Sequence, residues 1–180
     1  MAYFQRFGLL AYDVAGNGTY KLLPNILKRV KLRANVKGGA LLFDSYDVQD
    51  NEKPEDIAFK YYGDAEYHWV VLITNNITDR YYQWPMPESI FNSYITDKYG
   101  SGNEEAVHHY EVDQSSGSTT SAGPSDYSHR VEVNSDHDNP YIITNREYEQ
   151  RVQDKNRKIK LLDRRYLKTF VSEFNSLIKD

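Results

Sequence analysis

Cysteine is absent from the 180 residues, which rules out disulfides, thiolate metal sites and thiol nucleophiles. Long apolar runs are missing as well, and no stretch reaches the length of a membrane-spanning helix. The opening Met1-Ala2-Tyr3-Phe4-Gln5-Arg6-Phe7 has neither the apolar core nor the cleavage pattern of a signal peptide. A chain that is neither embedded in a membrane nor exported by a leader is expected. There is no internal repeat and no heptad array, which argues against solenoids and coiled coils. The pairs Gly38-Gly39 and Gly16-Asn17-Gly18 lack the spacing and the lysine of a phosphate loop, so no nucleotide cofactor is expected.

Tyrosine, by contrast, is abundant: sixteen, beside two tryptophans, supply side chains with apolar bodies and polar tips that suit semi-wet protein contacts as well as thin cores. The net charge of −4 conceals blocks of one sign. Residues 14–43 carry Lys21, Lys28, Arg29, Lys31, Arg33 and Lys37 with no acid, whereas residues 44–56 carry six acids against Lys53. Residues 104–138 are again acidic, and residues 155–168 hold seven cations against Asp163. Blocks of this kind orient a complementary partner or neutralise one another within the fold. The acidic total and the lack of a recognition motif speak against nucleic acid.

Local signals outline the elements. The first twenty residues, with scattered aromatics around Gly8, Gly16 and Gly18, read as an extended arm with turns. Around Pro24, the apolar residues Leu23, Ile26, Leu27 and Val30 have helical spacing, and residues 30–36 alternate like a strand. Residues 41–48 predict a strand, followed by the polar turn Gln49-Asp50-Asn51-Glu52. Pro54, Glu55 and Asp56 open a helix, Gly63 closes it in a left-handed conformation, and Asp64 caps a second helix. That second helix carries a buried face of Trp69, Val70, Leu72 and Ile73 and ends at Asn75-Asn76. Tyr81-Tyr82-Gln83-Trp84-Pro85-Met86-Pro87 reads as a connection, and Ile90, Phe91, Tyr94 and Ile95 predict another helix. Strands over 106–112 and 127–133 flank a Ser/Gly-rich stretch, giving a hairpin with a mobile tip at 113–126. Residues 141–143 predict a strand, Thr144 and Glu147 a capping box, and residues 158–162 a further strand. Leu167, Phe170, Val171, Phe174, Leu177 and Ile178 form the apolar stripe of a closing helix. The fold class is α+β, with an arm over 1–40, a strand-helix-helix module with its following helix over 41–99, and a C-terminal α+β region over 100–180.

No catalytic constellation stands out. His108-His109 and Asp136-His137-Asp138 lack the spacing and convergent ligands of a zinc site, and a solvated hairpin carrying titrating histidines is the expected setting. Glu104-Glu105 are sequence neighbours, which does not place two carboxyls across a sugar cleft. The chain is therefore read as a non-enzyme with no metal and no cofactor.

Tyr46-Asp47-Val48, Glu52-Lys53-Pro54-Glu55-Asp56-Ile57-Ala58, Tyr62-Gly63-Asp64, Trp69 and Asn75-Asn76 resemble the first two-thirds of a LysM module in its phage-tail variety. Asp50-Asn51-Glu52 stands where that module has Gly-Asp-Thr, and residues 77–87 show no closing strand. Over a longer span, residues 50–84 with the following Pro85, together with Asn25-Ile26-Leu27-Lys28-Arg29-Val30 and Asn156-Arg157-Lys158-Ile159-Lys160-Leu161-Leu162, are similar to the baseplate wedge protein 53 family of contractile-tailed phages. That resemblance implies a structural subunit of the virion tail baseplate, assembled in the host cytoplasm and present in copies set by sixfold symmetry. It also implies that the subunit joins adjacent wedges around the tail hub through other wedge and tail proteins, with neither nucleic acid nor membrane as partner. Candidate partner-binding residues are Tyr61, Tyr62, Tyr81, Tyr82 and Trp84, and Ile57, Ala58, Gly63, Trp69, Asn75 and Asn76 form the module core. The alternative reading is a LysM module that binds peptidoglycan glycans containing N-acetylglucosamine.

Overall fold

The computed structural model describes residues 3–32, 41–113 and 130–179, and the chain divides into two units, Met1–Pro85 with Asn156–Asp180, and Met86–Lys155. The α+β class is observed.

In the first unit, strand β1 (Leu9–Tyr12) and strand β2 (Lys21–Pro24) form an antiparallel hairpin in which Leu10 faces Leu23 and Tyr12 faces Lys21. This corrects the reading of an irregular arm. The eight-residue loop owes its shape to Asp13, whose carboxylate accepts from the backbone N–H groups of Ala15, Asn17 and Gly18 at 3.2, 3.3 and 2.7 Å. Gly16 and Gly18 supply the left-handed conformations (φ 64° and 81°) that the loop requires. Past Pro24 the chain makes a turn and then runs irregularly to residue 32, so the expected helix around Leu27 does not form. Of its apolar residues Val30 packs against the Phe7, Trp69 and Phe174 cluster, while Ile26 and Leu27 face solvent. Residues 33–40, the rest of the expected extended stretch, lie outside the described residues.

Strand β3 (Phe43–Asp47) leads through the turn at Asn51 (φ 61°) into helix α1 (Pro54–Tyr62). Asp56 accepts from the Lys53 N–H at 3.0 Å, and Gly63 ends the helix at φ 83°. Asp64 caps the short 3-10 turn Ala65–Tyr67, which passes into helix α2 (His68–Asn75). Asn76 adopts φ 59° at its end, with the Ile77 N–H reaching back to the Leu72 carbonyl at 2.9 Å. The strand that completes this layer, β7 (Lys158–Leu162), runs antiparallel to β3 from the far end of the chain, Phe43 facing Leu162 and Asp47 facing Lys158.

Helix α2 lies between two apolar clusters. Trp69 and Val70 pack with Phe7, Leu162, Leu167, Phe174 and Ile178, while Val71 packs with Val48, Ile57, Ala58, Trp84, Ile159 and Leu161. Its fully buried positions are therefore Trp69, Val70, Val71 and Thr74, and the expected Leu72 and Ile73 are only half-buried. The closing helix, α6 (Leu167–Lys179), buries Leu167, Phe174 and Ile178 but leaves Leu177 exposed.

The second unit holds helix α4 (Glu88–Tyr99), strands β4 (Val107–Asp113), β5 (Arg130–Val133) and β6 (Tyr141–Thr144), and most of helix α5 (Asn145–Arg157), whose last turn leads into β7. β4 is the central strand of a three-stranded antiparallel sheet, with β5 and β6 on either side. The expected hairpin is thus present, and residues 114–129, with most of its expected tip and His129, lie outside the described residues. Thr144 Oγ1 accepts from the Glu147 N–H at 3.2 Å, the capping half of the expected box. Buried Glu149 accepts from Lys98 Nζ at 2.6 Å and from the Tyr99 hydroxyl at 2.7 Å. The hydrogen bond to Glu149, opposed by desolvation, raises the Lys98 pKa.

Candidate functional site

Sequence reasoning names five aromatic residues as contact candidates, and the structure sorts them into two kinds. Trp84 is 7% exposed, packs with Ile57, Val71 and Ile159, and donates its indole N–H to the Glu52 carbonyl at 2.9 Å. It is a core residue, contrary to its reading as part of a surface connection. Tyr61 and Tyr62 are half-buried ties between helix α1 and the β3–β7 layer. The Tyr61 hydroxyl donates to the Asp44 carboxylate, and the Arg164 guanidinium lies 4.7 Å from its ring centroid. The Tyr62 hydroxyl donates to the Leu162 carbonyl at 3.0 Å. Burial pushes both phenol pKa values up, and for Tyr61 the hydrogen bond to Asp44 adds to the effect.

Tyr81 and Tyr82 differ from these, at 78% and 68% exposed. Both sit on the single helical turn α3 (Arg80–Gln83), which is braced from both ends. Asp79 accepts from the Tyr81 N–H at 2.9 Å, and Gln83 Oε1 folds back to accept from the Thr78 and Asp79 N–H groups at 2.7 and 3.0 Å. Two large side chains are thus presented to solvent from a fixed platform, which lowers the ordering cost of any contact they make.

The residues expected to form the module core pack and bond within the first unit. Ile57, Ala58 and Trp69 are buried, and the Phe174 ring centroid lies 4.5 Å from that of Trp69. Asn75 pairs with the backbone of β7 like a further strand: its Nδ2 donates to the Lys160 carbonyl at 2.8 Å, and its Oδ1 accepts from the Lys160 N–H at 2.8 Å. Asn76 Oδ1 accepts from Arg29 Nη2 at 3.0 Å. The turn between β3 and α1 is gathered by buried Glu52, which accepts from Tyr46, from the Gln49 N–H and from Lys60 at 2.5 Å. Burial opposes its ionisation, but the bonds from Lys60, Gln49 and Tyr46 together outweigh it and hold the carboxyl below its usual range.

A further exposed apolar surface was not among the sequence-derived candidates. Every residue of β1 and β2 is exposed. The register places Leu9, Ala11, Leu22 and Pro24 on one face and Leu10, Tyr12 and Leu23 on the other. Ile26 and Leu27 extend it, Leu27 being 84% exposed. Among the described residues, neither strand has a second partner, so the outer edges also present unpaired backbone groups. The available signal was Gly16-Asn17-Gly18 between two apolar runs, a hairpin signature. Apolar side chains are thus exposed on both faces of the hairpin.

The histidines offer no competing chemistry. A β-bulge between Val107 and His109 brings the His108 and His109 Nδ1 atoms to 2.8 Å, with His108 stacked on Tyr148 at 4.0 Å. His109 Nε2 meets Glu111, which two bonds from Arg151 also hold. Both lie on the hairpin strand β4, where His108 is solvent-exposed as expected and His109 is partly buried. Among the described residues no group of three or more His, Asp or Glu side chains could hold a metal ion, and no helix is long and apolar enough to cross a membrane.

A family model described as base plate wedge protein 53 matches residues 1–177. The chain belongs to that family. Over 66 residues it is 29% identical to the baseplate wedge protein gp53 of Enterobacteria phage T4. That alignment covers 36% of this chain and 34% of the phage T4 protein, so the chain spans about a third of the length of the curated relative it matches.

Proposed function

We propose that this protein is a structural subunit of a phage tail baseplate, where it joins neighbouring wedge polypeptides through protein contacts made by the β1–β2 hairpin and by Tyr81 and Tyr82. The family match supports a baseplate role. The observation that carries the joining role is the exposed hairpin, whose apolar side chains on both faces belong to neither core cluster among the described residues. A two-stranded hairpin is marginal alone in water, and a partner that covers its faces and pairs its edges supplies what it lacks. Tyrosines on a braced turn are the kind of anchor that dominates interface energetics.

The test is the mass of the species formed when the full chain is mixed with the other wedge components, followed by analytical ultracentrifugation. The unaltered chain is expected to enter the wedge complex. A Leu9→Ser, Leu22→Ser variant and a Tyr81→Ala, Tyr82→Ala variant are each expected to bind at least ten-fold more weakly at an unchanged melting temperature. Undiminished incorporation of a variant carrying all four changes overturns the reading. So does strong co-sedimentation of the chain with purified insoluble cell wall in place of wedge proteins, which would favour a glycan-binding module.

A further inference from the structure

Beside the hairpin lies a cavity of about 530 Å³, bounded by the N-terminal turn, by residues 26–31 and by helix α2. Its size is that of a ligand-binding cleft. Phe4, Phe7, Trp69, Leu72, Ile73 and Ile77 give it an apolar lining, and Phe4 and Ile26 remain solvent-exposed at its edge. The fold therefore brings apolar side chains to the cavity without filling it.

The rim has a sign. Lys28, Arg29 and Lys31 fall within four residues, inside the long stretch that carries no acid. Among the described residues Lys28 and Lys31 form no salt bridge. Arg29 is held at the mouth by its bond to Asn76, with its other donors unused by that bond. Glu66 is the acid among the lining residues, so cations outnumber acids there three to one. An apolar lining under a cationic rim complements a segment that offers large apolar side chains on one side and carboxylates on the other. Ile26, at the cavity edge, lies two residues beyond the end of β2, so the cavity adjoins the hairpin.

We propose that this cavity is a docking groove for an acidic amphipathic segment of a neighbouring wedge polypeptide, with apolar anchors lying against Phe4, Ile26 and Leu72 and carboxylates meeting Lys28, Arg29 and Lys31. The proposal rests on the wedge-subunit reading and specifies the chemistry of the partner. It excludes phosphate-rich partners as the occupant, because the lining rewards apolar side chains.

Two measurements test it. The purified full chain is titrated, by tryptophan fluorescence, with a synthetic peptide carrying leucines at helical spacing and glutamates elsewhere. Trp69 borders the groove from within the core, so occupancy is read as a change in its emission over the constant contribution of Trp84. The same peptide with lysines for glutamates and a single-stranded oligonucleotide of equal charge serve as the other probes. Saturable binding of the acidic peptide is expected, at least ten-fold tighter than either control, weakening with salt, and at least ten-fold weaker in Lys28→Glu, Lys31→Glu. Arg29 stays unaltered because it holds Asn76, and a melting temperature equal to that of the unaltered chain verifies the fold. Equal binding of all three probes, tighter binding of the oligonucleotide, no binding, or insensitivity to the charge reversal overturns the proposal. A concentration-dependent dimer that competes with the peptide also overturns it, by making a second copy of this chain the occupant. In parallel, the double variant is mixed with the other wedge components. If the unaltered chain and the variant both enter the complex equally, the groove proposal fails while the wedge reading stands, whereas failure of the unaltered chain to enter it sinks the wedge reading itself.

Discussion

Glu52 shows how one side chain holds a loop that carries no regular structure. Its carboxylate takes bonds from strand β3, from the turn and from helix α1, and its carbonyl takes the Trp84 indole. The folded state holds its pKa below the unfolded value. The stabilisation is therefore full above the unfolded carboxylate pKa and is lost as pH falls through the folded one. Glu52→Gln keeps the shape but replaces an ionised acceptor by a neutral amide, one half of which faces donors with a donor. A loss of about 1–3 kcal/mol is expected at pH 7. The difference between variant and unaltered chain should narrow below about pH 4, as measured by urea midpoints across pH. A pH-independent difference would show that the carboxylate charge is not what matters. This role is invisible in the sequence, where Glu52 is one of six acids in a block. Trp84 was misread for the same reason: Pro85 and Pro87 beside it signal a connection, whereas its burial comes from Glu52, Ile57 and Ile159, residues remote in sequence.

At the scale of elements, what was legible is what is decided locally. The proline start and glycine stop of α1, the aspartate cap before α2 and the threonine cap of α5 are short-range chemistry, and each appears where the residues place it. The pairing of β3 with β7 has no such signal, because the strand that completes the α1–α2 layer arrives only after the whole second unit has intervened. The β1–β2 hairpin was missed for a different reason. Its strands bury neither face, so the alternation by which a half-buried strand is recognised is absent and only the loop residues announce it. The loop makes its own prediction. Hydrogen bonds from backbone N–H groups, chiefly that of Gly18, hold the Asp13 carboxyl below its usual range. Its contribution to loop order is therefore present at neutral pH and lost as acid titrates it. Asp13→Ala removes the acceptor at every pH, and amide signals of Ala15, Asn17 and Gly18 are expected to shift toward disordered positions. At neutral pH, unchanged shifts in the variant would mean that the glycine conformations alone set the loop.

For the molecule as a whole, the two kinds of surface make opposite demands on solvent. In the β3–β7 layer the two strands pair with each other, and Asn75 bonds both the N–H and the carbonyl of Lys160 on β7. The hairpin has apolar faces in water and, among the described residues, free edges on both strands. Hydrogen exchange distinguishes these regimes, because protection follows the free energy of local opening. In the isolated chain, the amides that pair β3 with β7, and that of Lys160, should exchange slowly, and those on the outer edges of β1 and β2 should exchange close to the rate of an unstructured peptide. In the wedge complex the hairpin amides are expected to slow at least ten-fold while β3 and β7 change little, since only the hairpin gains new partners. If protection instead rises at β3 and β7 with the hairpin unchanged, the strand-helix-helix layer is the surface that meets the neighbour, and the exposed leucines of the hairpin would need another explanation.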